Sequence, residues 1–116
     1  AVDLGLRGAL VKTQSSDIGH ILENVVYLEL LRRGYDVYVG DIDDGEIDFV
    51  ALGSDETAYF QVSATTLDET TLNRELAPFN KVRDNYPKTL LTLDTLFADA
   101  NYEGVRKRNV IDWLLE

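Results

Sequence analysis

The spacing of hydrophobic residues predicts a long helix near the start of the chain. From residue 16 to residue 33 apolar side chains recur every three or four positions, as in a helix that buries one side. Arg32 and Arg33 lie in the last turn, where the helix dipole favours cations, and Gly34 follows at the position that often ends a helix. The pattern therefore predicts a helix over residues 16–33.

After Gly34 the hydrophobic period becomes two, which is typical of strands. We expect strands at 35–39, 46–52 and 57–63, the last two joined by the hairpin loop 53–56. Antiparallel pairing across this loop would place Asp48 opposite Gln61, with Cβ atoms about 4.5–5.5 Å apart. A one-residue slip would turn the carboxylates into the apolar face, so this register is favoured. That apolar face is expected to contain Ile47, Phe49, Ala51, Ala58, Phe60 and Val62.

The second half of the chain predicts another helix and shorter strands. Apolar residues at helical spacing predict a helix over 68–84, which Pro78 would kink or divide. We expect a buried strand at 89–93, a loop or helical turn at 96–104, a last strand at 105–110 and a closing helical turn at 111–115. The order α-β-β-β-α-β, with one hairpin and one crossover helix, predicts an α/β fold with a mixed sheet flanked by helices.

Composition restricts the classes of protein to which the chain can belong. Its 116 residues, 45% of them hydrophobic, suit a single domain over 1–116. No apolar run approaches the roughly 20 residues that span a bilayer, and the absence of cysteine fits a cytoplasmic protein. The chain contains no methionine and opens in an apolar segment at 2–11, so we interpret it as part of a longer polypeptide.

The formal charge of −10 argues against a broad phosphate-binding surface. The basic triplet Arg106, Lys107 and Arg108 would, together with other cations, frame a strip for phosphates. The alternative, which we favour, is that these residues offset carboxylates at the surface.

Four polar side chains lie in otherwise apolar elements and form the candidate site. They are Glu23 on the first helix, Asp48 on the second strand, and Gln61 and Ser63 on the third. A buried polar group without a partner costs roughly 1–3 kcal/mol, so such a cluster indicates a function. Carboxylate and amide oxygens are the ligands that Mg²⁺ prefers. The alternatives are that Glu23 is a solvated helix residue and Asp48 an ordinary surface acid.

The order of these residues resembles the signature of the PD-(D/E)XK nuclease superfamily, in its Holliday-junction-resolvase-like branch. The resemblance rests on Glu23, residues 34–35 (Gly-Tyr), residues 45–48 (Gly-Glu-Ile-Asp) and residues 61–63 (Gln-Val-Ser). It implies a restriction-endonuclease-like fold in which Glu23, Asp48 and Gln61 hold Mg²⁺ or Mn²⁺. The branch has Glu-x-Lys where this chain has Gln61 and Ser63, so the implied catalytic set of Glu23, Asp48, Gln61 and Ser63 is degenerate. Arg74 or Lys81 is the candidate replacement for the lysine.

Nearly the whole chain is also similar to the C-terminal DUF4143 domain of predicted AAA+ ATPases. The similar segments are residues 3–7, 19–24, 30–35, 61–63, 74–76 and 111–115. This resemblance implies a preceding ATPase domain as a partner in the same chain. The chain itself lacks the P-loop pattern G-x-x-x-x-G-K-[ST], so it is not expected to bind ATP.

The two resemblances leave three functions open. The first is a weakly active or inactive nuclease-like module that binds nucleic acid or a protein partner. The second is an active Mg²⁺-dependent DNA endonuclease with a displaced cation. The third is a structural domain that mediates assembly of the ATPase.

Overall fold

Residues 15–42, 45–82 and 84–116 are described by a computed structural model, in which a mixed sheet has helices on both faces. The elements are α1 (Ser15–Arg32), β1 (Asp36–Ile42), β2 (Gly45–Leu52), β3 (Thr57–Val62), α2 (Glu69–Asn80), β4 (Lys88–Thr92), β5 (Ala100–Tyr102), β6 (Val105–Asn109) and α3 (Val110–Leu114). This order confirms the predicted α-β-β-β-α-β arrangement. The expected lead-in at 1–11 lies outside the described residues.

The six described strands lie in the order β1-β2-β3-β4-β6-β5. β1, β2 and β3 pair antiparallel, whereas β3, β4 and β6 pair parallel. β3 therefore belongs to both the antiparallel half and the parallel half of the sheet. Short β5 pairs antiparallel with β6 at one edge. In the hairpin, Leu52 pairs with Thr57 and Val50 with Tyr59, as the loop length predicts.

A bulge in the pairing of β1 with β2 changes the face of the sheet on which the first side chains of β2 lie. Tyr38 pairs with Val50, yet Gly40 pairs with Ile47, so β2 has one extra residue at this point. The prediction that Ile47 shares a face with Phe49 is wrong because the extra residue breaks the alternation. Ile47 instead packs on the α2 side of the sheet, in a core cluster with Phe79, Leu90 and Val105.

The larger core cluster lies on the other side of the sheet, where α1 packs. Leu22, Val26 and Leu30 of α1 are buried there at helical spacing. They meet the apolar face of the central strands and α3, namely Phe49, Ala51, Phe60, Val62, Leu91, Val110 and Trp113. The guanidinium of Arg33 lies 4.4 Å from the centre of the Trp113 ring and joins the end of α1 to α3.

The second helix is shorter than the sequence predicts. Asp68 caps its N-terminus by accepting a hydrogen bond from the Thr71 backbone N–H, and the helix continues through Pro78 to Asn80. None of the helices in the described ranges has the length and apolar character needed to span a bilayer.

Candidate functional site

Strands β2 and β3 separate at Asp48 and Gln61, where side chains replace the regular ladder. The last regular pair is Phe49 with Phe60. Beyond it the Asp48 backbone N–H donates to Gln61 Oε1 over 2.6 Å, and the Val62 N–H donates to Asp48 Oδ2 over 2.9 Å. The two side chains therefore satisfy the backbone groups that the diverging strands leave unpaired. The structure brings Asp48 and Gln61 into direct contact, as the hairpin register predicts.

Gln61 also fastens helix α2 to the sheet. Its Nε2 donates to the backbone carbonyl of Glu75 over 3.0 Å, and the residue is only 3% exposed. Both ends of the amide therefore bind backbone groups, one on β2 and one on α2. An ionised carboxylate accepts hydrogen bonds but cannot donate them, so Glu at this position would lose the bond to α2.

A cleft of about 380 Å³ opens between this point of the sheet and α2. Its lining in the described part of the chain combines acids with two cations: Glu46, Asp48, Gln61, Arg74, Glu75, Ala77, Pro78 and Lys81. Arg74 and Lys81 are the two residues that the sequence offers as replacements for a catalytic lysine. The structure places both at the same cleft as Asp48.

Negative charge accumulates around Asp48. Burial raises the pKa of its carboxyl to about 7, and the charges of Glu23, Glu75 and Glu46 act in the same direction against the hydrogen bond from Val62. Burial also raises the pKa of Glu75, with Glu23 adding to the rise and Arg74 opposing it. The surroundings of Asp48 therefore favour either a proton or a bound cation.

The other two predicted site residues, Glu23 and Ser63, are not in the lining of this cleft. Glu23 does not line the cleft, although its charge influences both Asp48 and Glu75, and its Oε2 lies 3.7 Å from Nδ1 of His20. Ser63 follows the end of β3, and its hydroxyl donates to the Thr65 carbonyl over 2.9 Å. Ser63 is not part of the cleft lining.

The donor chemistry of Asp48, Glu23 and Gln61 fits a hard divalent cation, because all three offer oxygen atoms and the local charge is negative. The predicted set contains only two carboxylates. Among residues 15–42, 45–82 and 84–116, no group of three or more His, Asp or Glu side chains is arranged to hold a metal ion.

Glu75 and Glu46 are cleft residues that the sequence reasoning did not identify. Glu75 follows Leu72 by three positions and precedes Phe79 by four, so helical spacing places it towards the sheet. That spacing was the signal for Glu75. Glu46 gave no comparable signal, because the bulge that follows it alters the strand alternation.

A second polar network, also missed, is buried where the parallel strands end. Lys107 Nζ lies 2.8 Å from Asp94 Oδ2, with 1% and 4% of the two side chains exposed. Burial alone would raise the pKa of Asp94, but Lys107 and the donors of Thr65 and Thr66 hold it below its ordinary value. The expectation that Lys107 lies at the surface is wrong, because alternation along β6 turns Val105 and Lys107 into the interior.

Fold and cleft together define the chain as a mixed α/β domain with an acidic site at a strand separation. A protein of Haemophilus influenzae described as uncharacterized is 40% identical to the chain over 115 residues. The match covers 99% of this chain but 28% of that protein, so the chain is homologous to part of a longer protein. No family model matches the chain, and no solved structure matches it.

Proposed function

We propose that this domain is a degenerate nuclease-like module of a longer protein, with a cleft that binds a divalent cation and a nucleic-acid phosphate. The observation that supports this proposal is the meeting of Asp48 and Glu75 with Arg74 and Lys81 in one cleft. Acids suit the cation, and basic side chains suit the phosphate. The resemblance to the PD-(D/E)XK superfamily, with its restriction-endonuclease-like fold, supports the same function.

Asp48 and Gln61 would hold Mg²⁺ or Mn²⁺ at the cleft, and Glu23, which does not line it, would add negative charge nearby. The cation when bound supplies positive charge and an activated water. Arg74 and Lys81 would bind the phosphate at the opposite wall of the cleft. Gln61 is already engaged with two backbone groups, and Ser63 offers no charge. Loss of one fixed charged donor commonly lowers a rate by roughly 10²–10³. We therefore propose a module that binds nucleic acid and cleaves it weakly or not at all.

The second candidate is an active Mg²⁺-dependent DNA endonuclease. It is favoured by the position of Arg74 and Lys81, because either cation would stand in for the missing lysine. The third candidate is an assembly domain, in which Asp48, Gln61 and Glu75 serve only to join β2, β3 and α2. In all three, the resemblance to predicted AAA+ ATPases and the greater length of the relative support an ATPase domain as a partner in the same chain.

Thermal denaturation in Mg²⁺ or Mn²⁺ tests the cation site. Binding to the folded state alone raises Tm, by an amount that grows with the ratio of cation concentration to Kd. We expect such a rise for the wild type and none for Asp48→Ala, each compared with its own metal-free Tm. Asp55→Ala, in the exposed hairpin loop, is the matched acid-to-alanine control and should keep the rise.

The same variants separate the three candidates. Incubation with DNA that leaves it intact, together with a Tm rise, supports the degenerate module. Cleavage that Asp48→Ala abolishes would establish the active enzyme instead. If neither metal shifts Tm, the proposal fails and the assembly domain is favoured.

A further inference from the structure

Most basic side chains in the described part of the chain are already paired with carboxylates. Arg32 and Arg33 both contact Glu29, at 2.6 and 2.7 Å. Three more cations have partners of their own: Lys88 with Asp84, Lys107 with Asp94, and Arg108 with Glu116. Within the described ranges, the cations with no carboxylate at ion-pair distance are Arg74, Lys81 and Arg106.

Two of these three unpaired cations lie at the cleft, and the third lies away from it. Arg74 and Lys81 line the cleft and are exposed. Arg74 lies in α2 and Lys81 is the residue that follows its last turn, so their backbones are about 10 Å apart along the axis at a rise of roughly 1.5 Å per residue. Arg106 alternates along β6 with the buried residues Val105 and Lys107, and Val105 packs on the α2 side. Arg106 therefore projects from the opposite face of the sheet.

Within residues 15–42, 45–82 and 84–116, the number of unpaired cations limits how many phosphates can be neutralised. Proteins that bind duplex DNA commonly make roughly 6–10 phosphate contacts. Among the described residues the cleft offers two cations, and Glu46 and Glu75, which also line it, repel any further phosphate. Its volume of about 380 Å³ lies in the range of sites that hold small molecules. Such a site suits one or two nucleotides rather than two wound strands.

We propose that the cleft binds a single polynucleotide strand, or the free end of one, through phosphate contacts to Arg74 and Lys81. This inference rests on the proposed function. At an axial rise of roughly 3.4 Å per nucleotide, cations on backbones about 10 Å apart match phosphates about three positions apart on a stacked strand. The acids that line the same cleft, Glu46, Asp48 and Glu75, repel further phosphates of the strand unless a cation accompanies them.

Equilibrium binding of a labelled single-stranded oligonucleotide and of its duplex, at fixed Mg²⁺ and varied KCl, tests this inference. Two contacts to a single strand predict a slope of log K against log[salt] of about −1.4 or shallower. Arg74→Gln and Lys81→Gln should each weaken binding and reduce the slope by about half. Arg106→Gln, the matched variant of an unpaired cation outside the cleft, should bind like the wild type. All three residues are exposed, and circular dichroism checks that the variants are folded.

The outcomes distinguish this inference from the proposed function. Tighter binding of the duplex, a much steeper slope, or an equal loss in Arg106→Gln would overturn the single-strand inference and leave a nucleic-acid-binding module in place. Absence of single-strand binding while Mg²⁺ still raises Tm would also overturn it. Absence of both would remove the proposed function itself.

Discussion

Asp48 is the residue at which burial and neighbouring charge act together. Its pKa is raised from 3.8 to about 7, so the folded chain holds this proton more tightly than the unfolded chain. The resulting contribution to the free energy of unfolding is fully present below pH 3.8 and is lost as the pH rises towards 7. In this interval Asp48 therefore makes the fold less stable as the pH rises.

We expect Asp48→Asn to be more stable than the wild type at pH 7 and nearly equal to it near pH 4. Asparagine stays neutral and keeps an oxygen that accepts from the Val62 N–H. The expected gain at pH 7 is about 1–3 kcal/mol, less than the full pKa shift implies because the site is partly solvated. Urea denaturation at the two pH values measures it, with Asp55→Asn as the control. A gain of the same size at both pH values would contradict the electrostatic explanation.

The sequence predicts the contact between Asp48 and Gln61 but not the second role of Gln61. The contact follows from the loop length and from alternation, which together define the hairpin register. The bond from Gln61 to the Glu75 carbonyl depends on where α2 crosses the sheet. No local sequence pattern determines where α2 crosses the sheet. The hydrogen bond from Gln61 to Glu75 therefore could not be predicted from the sequence.

At the scale of the elements, Gly40 of β1 lies close against β2 at the bulge. A Cβ atom added there would lie 2.9 Å from Val50 Cγ2 and 3.1 Å from the Ile47 Cβ. We expect Gly40→Ala to lower the free energy of unfolding by about 1–3 kcal/mol, the usual cost of overpacking. Urea denaturation provides the measurement.

Gly19→Ala is the matched control for this substitution. No atom lies within 4 Å of a Cβ added at Gly19, which is inside helix α1. Alanine there should raise stability by roughly 0.5–1 kcal/mol because glycine is a poor helix former. An unchanged or higher free energy of unfolding in Gly40→Ala would show that the contacts with Val50 and Ile47 cost nothing.

The elements that the sequence misplaces are those determined by their neighbours. α1 has a sustained helical period and ends within one residue of its predicted limit. β5 has three residues, without a β-branched side chain, and exists because it pairs with β6. Ile47 changes side because of a bulge in its pairing with β1. The hydrophobic period therefore predicts long elements such as α1. The position of β5 and the side on which Ile47 lies are instead determined by pairing with neighbouring strands.

At the scale of the whole molecule, the Asp94–Lys107 pair joins the parts that form the parallel half of the sheet. Asp94 accepts from Lys107 of β6 and from Thr65 and Thr66 after β3, and its own carbonyl accepts from Asn109. We expect Lys107→Met to lower the global free energy of unfolding by about 3–5 kcal/mol, since it leaves a buried charge without its partner. Urea denaturation at neutral pH measures this loss.

A second substitution shows whether the charge is the cause. Asp94→Asn added to Lys107→Met removes the unpaired charge and should recover part of the lost stability. If the double variant is as unstable as the sum of the single variants, the loss comes from packing and not from electrostatics.

The two hydrogen bonds of the Gln61 side chain also affect which substitutions at this position the protein can tolerate. Glutamine and glutamate codons differ by one base, so a carboxylate at position 61 is a single mutation away. That mutation would discard the bond to the Glu75 carbonyl and bring another anion beside Asp48, before any new chemistry compensates. The Gln61→Glu variant would therefore be less stable than the present protein. Selection for stability would act against it and retain glutamine at this position.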